Sequence, residues 1–109
     1  MGQGALRLGD VVTSAAKKPR PAIVVQSDGL TTPHGILLCP FTTYLLAPIY
    51  RLHVEPDTTN GLTSSSQMMV DKVGRVPRDR IGRVIGRLAP ADLAKLDAAL
   101  LMMLDITGE

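Results

Sequence analysis

Residues 17–28, KKPRPAIVVQSD, run from a basic, proline-bracketed turn straight into an apolar segment, and the fold hangs on how that junction is read. Pro19 and Pro21 each fix φ, and Pro21 also pushes Arg20 out of the right-handed helical region toward an extended conformation. The guanidinium is therefore presented from a stiff backbone. Ala22 to Val25, continuous and aliphatic, reads as a buried strand. A permanently charged fork at the root of a core strand suits holding a phosphate better than solvating a surface.

Working outward, Leu6 to Thr13 (LRLGDVVT) reads as a first strand entered from a tight turn, and Ser14 to Pro21 as an exposed loop. Ala22 to Gln26 is the second strand, and Ile36 to Phe41 the third, after a turn-rich connection. Pro40 implies that the third strand ends there or lies at an edge, so the hydroxyls of Thr42 and Thr43 emerge where the ladder stops. In Ile49 to Glu55 the alternation puts Arg51, His53 and Glu55 on one face and Tyr50, Leu52 and Val54 on the other. Asp57 to Ser66 is a polar loop with a tight-turn signal at Asn60-Gly61. Gln67 to Val76 is the next strand, Pro77 to Gly82 a short helical turn, and Arg83 to Leu88 a last strand. Pro90 to Leu104 is a helix, because Leu93, Leu96, Leu100 and Leu104 recur at helical spacing, with Leu101 and Met103 widening the stripe. That apolar face exceeds what one small sheet needs, which points to docking on a second copy.

The expected fold is mainly β (α+β), an SH3-like partly open barrel of five to seven short antiparallel strands with a C-terminal helix, in one domain over residues 1–109. The chain is long enough to bury a core without disulfide or metal. Its apolar fraction is 45% but its aromatic fraction only 3%, with no Trp, so that core must be aliphatic and only Phe41, Tyr44 and Tyr50 can offer stacking rings. Cys39 is the sole cysteine, which excludes an internal disulfide and a cysteine-rich zinc site, and a buried, inert thiol is expected. No apolar leader and no run near the ~20 residues that cross a bilayer is visible, so a cytoplasmic protein without membrane contact is expected.

Five segments in order, LGDVV, KPRPAIVVQSD, CPFTT, HVEP and SSQMMVDKVGRVPRDRIGRVIGRLAPADLAKLDAALLMML, span nearly the whole chain and closely resemble the MazF/PemK family. The resemblance implies the toxin of a type II toxin–antitoxin pair: a homodimeric endoribonuclease that cuts single-stranded RNA at short sequences with no metal or other cofactor, held in check by a cognate antitoxin. Through it, the family's basic catalytic residue falls on Arg20 and its catalytic threonine on Thr42. Lys17, Lys18, Thr43, Asp71 and Lys72 complete the expected substrate-binding set. Lys72 stands where many relatives carry glutamine, and the loop SAAKKPRP is shorter than the corresponding family segment, so Lys17 and Lys18 are the residues expected to replace its contacts.

The chemistry of those residue types fits the implied reaction. Scission by the 2′-hydroxyl needs charge stabilisation at the phosphate oxygens, which an arginine fork and a hydroxyl supply. Other readings stay open on the residues alone. Thr42 can instead bond nearby backbone, and Asp71 can be a solvent-facing strand carboxylate. His34 and His53 form an alternative acid–base pair, and Arg75, Arg78, Arg80, Arg83 and Arg87 are either a phosphate-tracking patch or an ordinary charged face. Two other functions share the fold: a CcdB-like poison of DNA gyrase, disfavoured by the lack of a tryptophan near the chain end, and an SH3-like RNA-binding module without chemistry.

Overall fold

The computed structural model describes residues 6–15, 19–27, 35–45 and 51–104. Seven strands and one helix follow in order: β1 (Asp10–Ala15), β2 (Pro19–Val24), β3 (Ile36–Thr42), β4 (Arg51–Val54), β5 (Ser66–Met69), β6 (Gly74–Val76), β7 (Ile81–Arg87) and α1 (Pro90–Leu104). All pairings are antiparallel, and the sheet runs β4-β5-β3-β2-β1-β7 with β6 also on β3. The expected partly open, mainly antiparallel architecture with a C-terminal helix is what forms. Among the described residues no helix is long and apolar enough to cross a membrane.

β2 and β3 are apolar on both sides because both sides are covered. Val11, Ile23, Cys39 and Phe41 join Val54, Met68, Val70 and Leu96 in one buried cluster, while Val12, Ala22, Val24, Ile36, Leu38 and Ile81 form a second. Alternate residues of each strand thus feed different clusters. Leu96 of α1 is 0% exposed, and Leu93, Ala99 and Leu100 pack beside it. The expected stripe is shorter than its sequence pattern: Leu101, Met102, Met103 and Leu104 are all exposed, because the helix runs past the strands it covers.

Three strand expectations need correction. Leu6 to Gly9 is a turn rather than strand: the Asp10 N–H donates to the Arg7 carbonyl, the Asp10 carboxylate accepts from the Arg7 N–H, and Gly9 takes a φ of 91°. Ser14 to Pro21 is not all loop, since Ser14 pairs with Arg20 and Ala15 with Pro19. Prolines tolerate a strand where the ladder asks nothing of their nitrogens, and β3 pairs with β2 only from Ala22 onward. Finally, residues 67–76 are not one strand. Moving along β3 from Phe41 to Leu38 uses three residues, while its partner goes from Met68 to Gly74. The surplus is taken up around a 3-10 turn at Val70–Lys72 that splits β5 from β6.

The tight turn expected at Asn60-Gly61 is present, with Gly61 at a φ of 75°. Asn60 is fully buried and staples the loop: its carboxamide donates to the Glu55 carbonyl at 2.9 Å and accepts from the Leu62 N–H at 3.0 Å. The short helical turn after Pro77 spans Arg78–Arg80, and Gly82, expected to close it, belongs to β7 instead.

Candidate nucleic-acid cleft

The β2–β3 register pairs Ala22 with Pro40. Arg20 lies two residues before that pair on β2, where its partner is Ser14 of β1, and Thr42 two residues after it on β3, where its partner is Gln67 of β5. Side-chain alternation then puts Arg20 and Thr42 on the face that Ala22, Pro40 and Leu38 occupy, with Ser14 beside Arg20 on β1. These residues line one cleft of about 820 Å³, whose far wall is Met69, Lys72 and Gly74 to Val76. The bulge that splits β5 from β6 is what brings Lys72 to that wall.

The cleft's chemistry is one-sided. Among the described residues its lining contains Arg20, Lys72 and Arg75 and the hydroxyls of Ser14 and Thr42, on an apolar floor, and no aspartate or glutamate. Such a surface recruits an anion and repels none. The Arg20 guanidinium makes no hydrogen bond or ion pair with another described residue and lines the cleft. The Thr42 Oγ1 accepts from the Tyr44 N–H at 3.1 Å, which leaves its own proton to donate. Thr42 thus does bond nearby backbone, and it also lines the cleft.

Of the expected substrate-binding residues, Lys72 lines the cleft, and Thr43 is exposed at the end of β3 without lining it. Lys17 and Lys18 lie outside the described residues, as does His34. Asp71 sits on the 3-10 turn, not on a strand, and accepts two bonds from Arg51, from Nε at 2.8 Å and from Nη2 at 3.1 Å. That fork holds its carboxyl below the usual carboxylate range, chiefly through hydrogen bonding. The Arg51 side chain is only 11% exposed, whereas Asp71 is exposed at the surface of the turn, so the carboxylate faces solvent while clasped by Arg51.

The rival groupings come apart. His53 is hydrogen-bonded to Glu55 on β4, outside the cleft lining. Of the five arginines between residues 75 and 87, only Arg75 lines the cleft; Arg87 pairs with Asp10 at 2.7 Å. Burial, with the Asp71 charge adding to it, pushes the Cys39 thiol up to about 12, so the sole cysteine is unreactive as expected. Among the described residues no three His, Cys, Asp or Glu side chains gather as a metal-holding group. Two participants escape sequence reasoning. Ser14 was hidden by reading its segment as loop, although treating the two prolines as strand residues would have paired it with Arg20. Arg51 offered no signal, because its partner is twenty residues away.

The family model described as "PemK-like, MazF-like toxin of type II toxin-antitoxin system" matches residues 4–104. The chain belongs to this PemK/MazF family. A protein named "Probable endoribonuclease MazF" from Mycolicibacterium smegmatis is 39% identical over 94% of this chain and 100% of its own length. "Endoribonuclease MazF9" of Mycobacterium tuberculosis is 31% identical over 85% of this chain and 84% of its own. A mycobacterial endoribonuclease solved in complex with its cognate antitoxin shares the MazF-like fold, with a TM-score of 0.80 at 19% identity, covering 96% of this chain and 100% of that one.

Proposed function

We infer that this chain is the toxin of a type II toxin–antitoxin pair and a sequence-specific endoribonuclease acting on single-stranded RNA. The observation that carries the reading is that Arg20 and Thr42 line one cleft whose described lining is cationic and holds no carboxylate. Its relatives at 39% and 31% identity, both named endoribonucleases, support it. The gyrase-poisoning alternative has no comparable support, and a merely binding module would not need the free hydroxyl proton of Thr42.

In the proposed reaction the RNA 2′-oxygen attacks the adjacent phosphorus as its proton departs, and the P–O5′ bond breaks as O5′ takes up a proton. The products are a 2′,3′-cyclic phosphate and a 5′-hydroxyl end. Arg20 binds the non-bridging oxygens as their charge grows, Thr42 donates a hydrogen bond from its hydroxyl to one of them, and solvent water takes the 2′-hydroxyl proton and supplies the one that O5′ receives. An arginine does not give up its proton in a protein, so Arg20 holds charge rather than relaying the proton. Lys72 and Thr43, with Lys17 and Lys18 from the preceding loop, contact the flanking backbone, and Asp71 contributes by fixing the turn that carries Lys72. No cofactor enters this scheme.

The same cleft suits an acidic, disordered segment of a cognate antitoxin, and the exposed end of α1 suits packing against a second copy of the chain. We place the protein in the cytoplasm, where its substrate is. Arg20→Ala is the deciding variant. It should lower cleavage of a mixed single-stranded RNA pool by at least ~100-fold with an unchanged circular dichroism spectrum. Equal cutting by the variant, or no cutting by the wild type, would refute the mechanism.

A further inference from the structure

The chain has three aromatic rings, two Tyr and one Phe. Phe41 is 3% exposed and belongs to the core. Tyr50 lies outside the described residues. Tyr44, by contrast, is 74% exposed, with Leu45 exposed beside it. A core built almost wholly from aliphatic side chains thus leaves one of its few rings in water.

That ring is not on an arbitrary surface. Its backbone N–H is bonded to the Thr42 hydroxyl at 3.1 Å, so the root of the ring is tied to a residue that lines the cleft together with Arg20. Two residues of chain span at most ~7 Å. Tyr44 therefore stands at the edge of the cleft, about one nucleotide from a phosphate held between Arg20 and Thr42. The cleft supplies cations for a nucleic-acid backbone, and among the described residues its lining includes no exposed ring for the bases. Exposed aromatics next to a cationic track are what unpaired bases stack on, whatever their sequence.

We propose that Tyr44 is the base-stacking platform of the cleft, holding the base next to the scissile phosphate against its ring while the Thr42 hydroxyl fixes the platform's position. This rests on the endoribonuclease reading for its place in a reaction, but its test does not depend on cleavage. The probe is a mixed-sequence 2′-O-methyl RNA nonamer, which lacks the attacking hydroxyl and so reports binding alone. A Tyr50→Phe background leaves Tyr44 as the only tyrosine of a chain without tryptophan, so its emission reports the ring directly. The probe should quench that emission. Tyr44→Ala should weaken probe binding about tenfold, ~1.4 kcal/mol, and raise KM for cleavage of an RNA pool similarly, with kcat within about threefold. Tyr44→Phe, which keeps the ring, should restore affinity. Absence of quenching, binding of Tyr44→Ala within twofold of the parent, or a Phe variant as weak as the Ala variant would overturn the platform, as would an effect confined to antitoxin binding or self-association. Quenching without any RNA cleavage would sink the enzymatic reading and leave the platform standing; cleavage with no effect at Tyr44 would do the reverse.

Discussion

Thr42 does two things through one oxygen, and its variants separate them. Thr42→Val removes both the acceptor that braces Tyr44 and the proton offered to the cleft, so cleavage should fall ~100-fold or more while the fold persists. Thr42→Ser keeps both and should stay within about tenfold of the wild type in the same assay. Arg51 and Asp71 form the other residue-scale device. Because hydrogen bonding from Arg51 lowers the Asp71 pKa, the clasp stabilises the fold above the ordinary carboxylate range, and that contribution is lost as pH falls through the lowered value. Once pH falls below the lowered Asp71 value, Asp71→Asn and wild type should converge in urea midpoint, whereas at pH 7 the variant should be less stable by about 1 kcal/mol. Equal stability at both pH values would show that the clasp is idle. Arg20 and Thr42 were legible from their proline and strand-end contexts through the family resemblance. Ser14 and Arg51 were not, because each acquires its place only from a strand distant in sequence.

At the level of elements, the glycine turn and the helix make the sharpest tests. A methyl group at Gly61 would meet the Ile85 carbonyl oxygen at 2.3 Å, at a φ of 75° that side chains rarely adopt. Gly61→Ala should cost about 1–3 kcal/mol and depress Tm by several degrees. Leu96→Ala, at the only fully buried position of α1, should cost about 2–5 kcal/mol in denaturant titration, whereas Leu104→Ala should change little in the isolated chain. The helix was readable because its period is local. The interruption of residues 67–76 was not, because Asp71, Lys72 and Gly74 weaken strand propensity without marking where a strand breaks; the surplus residues become a turn only when β3 pairs with both halves.

Across the whole molecule, the charge of the cleft matters more than the net charge of +2. Binding of a single-stranded RNA should weaken steeply with salt, and Lys72→Gln should reduce the log–log slope by about 0.7, one phosphate contact, without moving the cut positions. An unchanged slope would remove Lys72 from the backbone track. The sequence by itself determined the class of fold, the helix, the aliphatic core and the family, since each is written in local periodicity, composition or an ordered run of motifs. Only the tertiary structure decided that Arg20 lies within a strand and shares a cleft with Thr42, that Asp71 is committed to Arg51, that Lys72 reaches the cleft over a bulge and that Tyr44 is left in water. The physical reason is register: antiparallel pairing fixes which residues face one another across strands, and that choice is made by the packing of the whole sheet rather than by any segment alone.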